Sequence, residues 1–410
     1  MTVSDIDRQR AKRLMQNAGL DALVLMQPEA FRYAIGAAAG VASMWGRAGA
    51  AIALVPAEEN GRLAAIASDH AAGAIRATSP DIDLRTHRVW IDAVDLTGVS
   101  DLAGINAAYG SGGARPQTFD RELCFRLLGD LLRERGLDRG RIGLDLEYIP
   151  AADFHALQQA LPDIAFSDGS EVLRRLRMVK TAAEIRRLRR AASAAEAGLE
   201  AMARAIEPGV AVSALSDAWR AGAAAFAQGE GFALSGHWDF ISVGPDLSDS
   251  RAVVVPGAVI KADVGTLVEG YSSDGARSFV HGAPSPLAQT VFSALSNAFS
   301  AGLEQLRPGN RFACVHEAMM ASMRQDGFEH YGRGHFGHSV GGSVGIEEWP
   351  FFSAESDVIL EPNMVVALEA PFYGQGLGAL MIEDQFLMTQ TGAEPMYRLP
   401  RGLVDVSQKV

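Results

Sequence analysis

Four carboxylates and one imidazole, Asp263, Asp274, His338, Glu369 and Glu383, each fall in a short segment that reads as a strand or a strand edge. In Lys261-Ala-Asp263-Val-Gly-Thr-Leu-Val-Glu-Gly-Tyr-Ser-Ser-Asp274-Gly-Ala-Arg277, one acidic residue ends a strand and Glu269-Gly270 allows a turn. The second acidic residue lies on the returning strand. Antiparallel neighbours are about 5 Å apart, so the two carboxylates can converge. Val366-Ala-Leu-Glu369-Ala-Pro, a turn through Gly374, Gly376 and Gly378, and Met381-Ile-Glu383-Asp384 repeat the plan. His338 sits between the pairs in Gly337-His338-Ser-Val-Gly341, where flanking glycines let the backbone come close.

A lone acidic residue on a strand usually faces solvent, and a lone histidine is usually a satisfied core residue. Asp263 and Glu369, however, each end a run that reads as buried. Like charges about 4 Å apart repel by about 4 kcal/mol at an effective dielectric of roughly 20. Two divalent ions would cancel four negative charges in full, and the set suits metal-assisted hydrolysis. These groups lying apart, or a pocket filled by an arginine or lysine head instead of ions, would contradict this reading.

At 410 residues the chain is longer than one core usually supports, which predicts two domains. A formal charge of -12 argues against a nucleic-acid partner. The two cysteines, Cys124 and Cys314, are far apart in helix-like settings, which predicts free thiols and a cytoplasmic protein. The start, with charged Asp7, Arg8, Arg10 and Lys12, does not read as a signal peptide. The most membrane-like stretch, Ala34 to Pro56, is broken by Arg47 and reads as buried strand and turn, so no membrane association is expected.

The first part alternates helices (Asp5–Asn17 capped by Ser4, Asp120–Arg135, Ala151–Leu161) with strands at 21–26, 50–55, 62–66, 141–146 and 163–166. Alternation of this kind indicates an α/β domain. Residues 110–116 read as a loop. A boundary falls near residue 170, giving domains 1–168 and 169–410. Thr181-Ala-Ala-Glu184 has capping-box spacing and opens a helix to about Ile206. Helices follow at Val212–Gln228, Pro286–Leu306 and Cys314–Arg324. Strands are expected at 240–243, 259–264, 278–280, 365–369 and 380–388, which makes the second domain α+β.

These motifs resemble the pita-bread metallopeptidases, the family of methionine aminopeptidase, prolidase and Xaa-Pro aminopeptidase, which also includes creatinase and a dimethylsulfoniopropionate lyase. Residues 1 to about 165 look like the creatinase-type N-terminal domain, and Arg177-Met-Val-Lys180-Thr-Ala-Ala-Glu184 looks like the entry into the catalytic domain. The resemblance implies an α/β creatinase-like N-terminal domain plus an α+β pita-bread catalytic domain. It also implies two divalent ions (Mn, Fe, Co or Zn). Asp263 would chelate one, Asp274 and Glu383 would bridge both, and His338 and Glu369 would hold the second. It further implies a homodimer acting on a dipeptide or other small-molecule substrate, by hydrolysis of a C–N bond in the Xaa-Pro peptidase manner.

The chain departs from the family's pattern at two histidines. The Gly-rich segment from Val243 to Arg251 has none, His237 lying several positions too early, and Ile346-Glu347-Glu348-Trp349-Pro350 places Glu347 where the other would stand. Met381 replaces an arginine common in proline-specific members, and Ala276 replaces a threonine. The missing histidines normally donate hydrogen bonds, which an ionised carboxylate cannot do. Glu347 either acts as a general base, or caps a loop or pairs with an arginine. A general base there suits an alternative: a lyase, or a creatinase-like or ectoine-hydrolase-like enzyme. His335 either takes over a donor role or packs in the core. Arg251 either clamps a substrate carboxylate or is simply exposed, and Trp349, like Trp45 and Trp238, either walls a pocket or packs.

Overall fold

The computed structural model describes residues 4–110, 113–342 and 347–407. Ser111 and Gly112 of the loop expected at 110–116, and Ile346 just before Glu347, lie outside them. The chain forms two compact units, Met1–Arg177 and Met178–Val410. The helix Ser170–Met178, which follows the expected boundary at 168/169, contributes Val172, Leu173 and Leu176 to the core of the first unit.

The first unit is built on a sheet that, among the described residues, has six strands: 83–87, 64–68, 52–56, 22–25, 141–144 and 165–168 in spatial order. Strands 22–25, 141–144 and 165–168 run parallel, while 52–56 is antiparallel to both its neighbours. The helices Arg8–Ala18, Arg121–Glu134 and Ala151–Ala160 complete the α/β arrangement. The first of these starts later than expected. Asp7, not Ser4, is its N-cap, accepting from the Arg10 N–H, while the Ser4 hydroxyl accepts from Ile6. Within 34–56 the chain forms a short 3-10 turn at Gly40–Met44 and the buried strand Ile52–Pro56. Among the described residues no helix is long and apolar enough to cross a membrane.

In the second unit the Thr181–Glu184 capping box is formed in both directions and opens the helix Ala182–Ala205. Ser285 caps Pro286–Gln305, with Pro286 in the first turn where its missing N–H costs nothing. The sheet runs in the order 348–351, 337–339, 365–374, 378–388, 275–280, 259–268, 236–243. All the pairings along that path are antiparallel. Side chains alternate across it. Val366, Leu368, Ala370, Leu380 and Ile382 pack with helices Pro286–Gln305 and Phe312–Gln325. Ile260, Ala262 and Val264 pack with Ala182–Ala205 and Val212–Gly229. The intervening positions on these strands point to the opposite face, and those positions carry the acidic residues.

Candidate metal centre

Sheet register gathers the acidic residues. Asp263 pairs with Ala276, Ala276 with Glu383, and Glu383 with Glu369, so one rung crosses four strands. Directly paired residues share a face, as do residues two apart on one strand. Asp274 lies just before the 275–280 strand, and its carboxylate is brought to this face beside His338 and Glu383. His338 pairs with Ala367, two residues from Glu369. All five expected residues therefore lie on one face. Asp274, His338, Glu369 and Glu383 are at most 5% exposed, and Asp263 is partly buried.

Within this set, Asp274, His338 and Glu383 place one donor atom each within 4.8 Å of one another. His338 Nε2 is 3.4 Å from Asp274 Oδ2. Its Nδ1 lies 2.9 Å from the Ser339 carbonyl oxygen, which can only accept, so Nδ1 carries the proton and Nε2 keeps a free lone pair. Lys180 Nζ donates to the Ser339 hydroxyl at 2.7 Å and steadies the same strand. Gly337 has φ +118°, and a Cβ there would lie 2.0 Å from the Ala367 carbonyl oxygen, so the approach that places His338 requires glycine. Behind Glu383, the Arg277 guanidinium donates to the Glu383 carbonyl at 2.8 Å and to Asp384 Oδ1 at 2.7 Å.

The electrostatics divide the carboxylates. Burial, and then repulsion from Asp263, Glu369 and Glu347, pushes Asp274 well above the usual carboxylate range. Burial and the charges of Asp274, Asp263 and Glu369 do the same to Glu383, whose Oε2 is buried without a hydrogen-bond partner. An orphaned buried oxygen among mutually repelling carboxylates, with an imidazole lone pair aimed at them, fits a divalent cation. Burial also raises Asp263, although Lys261 Nζ lies 3.0 Å from its Oδ2. Burial would raise Glu369 as well, but His335 and the Arg333 guanidinium, 2.9 Å away, hold it below its ordinary value. Burial lowers His338, which favours the neutral, ligating imidazole.

His335 and Glu347 are brought to the rim of this group. His335 Nδ1 is 3.3 Å from Glu369 Oε1 and its Nε2 is 3.9 Å from Glu347 Oε2. Glu347 thus lies beside an imidazole, and among the described residues no ion pair joins it to an arginine. Trp349 packs, half-buried, against the apolar cluster of Phe312, Phe336 and Phe352, and the residue of its strand that meets His335 and His338 is Phe351. Arg251 is exposed, and among the described residues it forms no ion pair with the site carboxylates. Sequence reasoning missed Lys261, Arg333 and Phe240. Phe240 pairs with Asp263, shares its face and is 58% exposed. Two-residue periodicity from Asp263 could have found Lys261, whereas Arg333 lies in irregular chain.

The family "Metallopeptidase family M24" matches residues 186–390, and "Creatinase/Prolidase N-terminal domain" matches residues 8–179. The chain is 30% identical over 271 residues to the "Probable dipeptidase PepE" of Mycobacterium bovis, covering 64% of this chain and 68% of that one. It is 25% identical over 276 residues to the Xaa-Pro dipeptidase of Lactobacillus helveticus, covering 67% and 74%. The solved structure of the Xaa-Pro dipeptidase from Bacillus anthracis superimposes with a TM-score of 0.75 at 21% identity, covering 97% of this chain and 98% of that one.

Proposed function

The chain belongs to metallopeptidase family M24 and is a metal-dependent hydrolase of peptide C–N bonds, and from that premise we propose that it acts on short substrates of the Xaa-Pro dipeptide class. The observation that carries this reading is the buried convergence of Asp274, His338 and Glu383 beside Asp263 and Glu369 on one sheet face. The two relatives described above are named as dipeptidases, which does not favour the lyase or creatinase-like alternative.

We assign the metal to these five residues. A bound divalent ion supplies Lewis-acid polarisation of the scissile carbonyl and lowers the pKa of a water. Glu347 is half-exposed and stands beside His335, where it accepts a proton as general base. His335 offers the hydrogen-bond donor that the departures at 347 and in 243–251 remove. Phe240 and Tyr373 rise from the same face and wall the space over the carboxylates. Two ions, the count expected from the sequence, would need all five residues, yet Lys261 and Arg333 stand on Asp263 and Glu369. The same reading carries a cytoplasmic homodimer, supported by two unpaired thiols and by the family resemblance.

The test is release of proline from Ala-Pro or Leu-Pro by chelator-stripped protein reloaded in turn with Mn, Co, Zn or Fe. Release that depends on the added metal is expected. Absence of release with every one of these metals removes the Xaa-Pro substrate class.

A further inference from the structure

Lys261 is 5% exposed and sits two residues before Asp263 on the same strand, on the face that bears the carboxylates. Its Nζ lies 3.0 Å from Asp263 Oδ2 and 5.6 Å from the centre of the Tyr373 ring, so the ammonium is held from two sides. On the opposite flank the Arg333 guanidinium holds Glu369. Between these pairs lies the open group. Asp274, His338 and Glu383 converge, and Glu383 Oε2 is buried with no hydrogen-bond partner. The four carboxylates, set against one ammonium and one guanidinium, leave two negative charges, which a single divalent ion cancels. A second ion beside Asp263 would have to expel a buried ammonium from its carboxylate and meet its charge at close range.

We propose that this centre takes one divalent cation, held by Asp274, His338 and Glu383, and that the Lys261 ammonium occupies the place beside Asp263 that a second ion would need. The inference rests on the metal-centre reading above; it changes the number of ions the centre carries and narrows the ligands from the five residues assigned there to three. Lys261 is thereby a built-in substitute for a metal ion, tethered by its own strand.

The full chain is stripped with chelator, reloaded with excess Mn(II), desalted, and assayed for manganese per chain and for its electron paramagnetic resonance spectrum. One ion per chain is expected, with the spectrum of an isolated Mn(II). Lys261→Met, which keeps the length of the side chain and removes its charge, is expected to bind two ions with a spin-coupled spectrum. Lys261→Arg, which keeps the charge, is expected to stay at one. Two ions with a coupled spectrum in the unmodified protein overturn the inference and leave the metal centre standing, and this arm holds even where Lys261→Met does not fold. A folded Lys261→Met protein that still takes one ion also overturns it. No ion in any of the proteins overturns the metal-centre reading itself.

Discussion

His335 Nε2 lies 3.9 Å from Glu347 Oε2, while the Nδ1 of the same ring lies 3.3 Å from Glu369 Oε1. One imidazole therefore stands between an exposed carboxylate and a buried one, at the rim of the group that converges around Glu383. At 3.9 Å the ring and Glu347 are within ion-pair reach but beyond a hydrogen bond, so a proton would pass between them only through a bridging water. The ring also gives the substrate a donor that a carboxylate at position 347 cannot provide.

If Glu347 takes the proton, Glu347→Gln keeps its size and removes its basicity. The expected loss in kcat on Ala-Pro is about 10²-fold or more, within the usual range for general acid–base catalysis, with KM little changed. His335→Ala should lower kcat as well. The double variant should lose less than the product of the two single effects, because the side chains act as a unit. Steady-state kinetics on all three variants checks this, and a Glu347→Gln loss below about tenfold removes Glu347 from proton transfer.

Gly337→Ala tests how His338 is placed. The added methyl would lie 2.0 Å from the Ala367 carbonyl oxygen, at a φ of +118° that alanine adopts only under strain. Strain and overpacking together should cost roughly 2–6 kcal/mol and part the 337–339 strand from 365–374. Denaturant unfolding should show the loss in stability. Metal content should fall with it, since His338 is displaced. A variant with unchanged stability and metal content would show that the contact can relax freely.

The convergence of the acidic residues was legible because strands impose a two-residue period and hairpins impose proximity, which puts Asp263, Glu369 and Glu383 on a shared face with Asp274 beside them. The Thr181–Glu184 box was legible because capping is local chemistry. Lys261 obeys the same period as Asp263 but was absorbed into an apolar run, where its charge carried the information. Arg333 gave no periodic signal, because Gly332–Gly334 follows no repeating backbone. Trp349 and Phe351 share a short strand, and a break in register between His338 and Ser339 decides which aromatic meets the imidazoles. A sequence does not display that break. The helices Pro28–Ile35 and Leu102–Gly110 were also missed, both being short; Gln27 makes no capping hydrogen bond to the first, while Asp101 caps the second by accepting from the Gly104 N–H.

Metal removal should expose the repulsion between Asp274 and Glu383. Both are held well above the usual carboxylate range in the folded, metal-free protein, first by burial. Over the pH range between their unfolded and folded values, the folded state holds more protons than the unfolded chain, so stability falls as pH rises. Metal-free protein should therefore melt at a lower temperature at pH 7 than at pH 5. Adding Mn(II) at about 100 times its Kd should restore about 2.7 kcal/mol. Glu383→Gln should flatten the pH dependence of the metal-free form and abolish the response to Mn(II). Thermal melts at the two pH values, with and without metal, decide the matter.

A second pH effect is expected in the first unit, remote in sequence from the metal ligands. Burial raises Asp145 to about 7, against the opposing pull of backbone N–H groups from Gln27 and Met26. Its unfolded value lies near 3.8, so between about pH 4 and pH 7 the folded state retains a proton that the unfolded chain releases. The contribution is complete below pH 4 and is lost as pH rises through 7. Asp145→Asn fixes the side chain in a neutral form that still offers one acceptor oxygen to those N–H groups. The variant should be less sensitive to pH over that window than the parent, in unfolding followed by a probe specific to the first unit, such as hydrogen exchange of the backbone amides in strands 22–25 and 141–144. Equal slopes for the two proteins would mean that Asp145 is ionised when folded and that the three contacts from Met26 and Gln27 outweigh its burial.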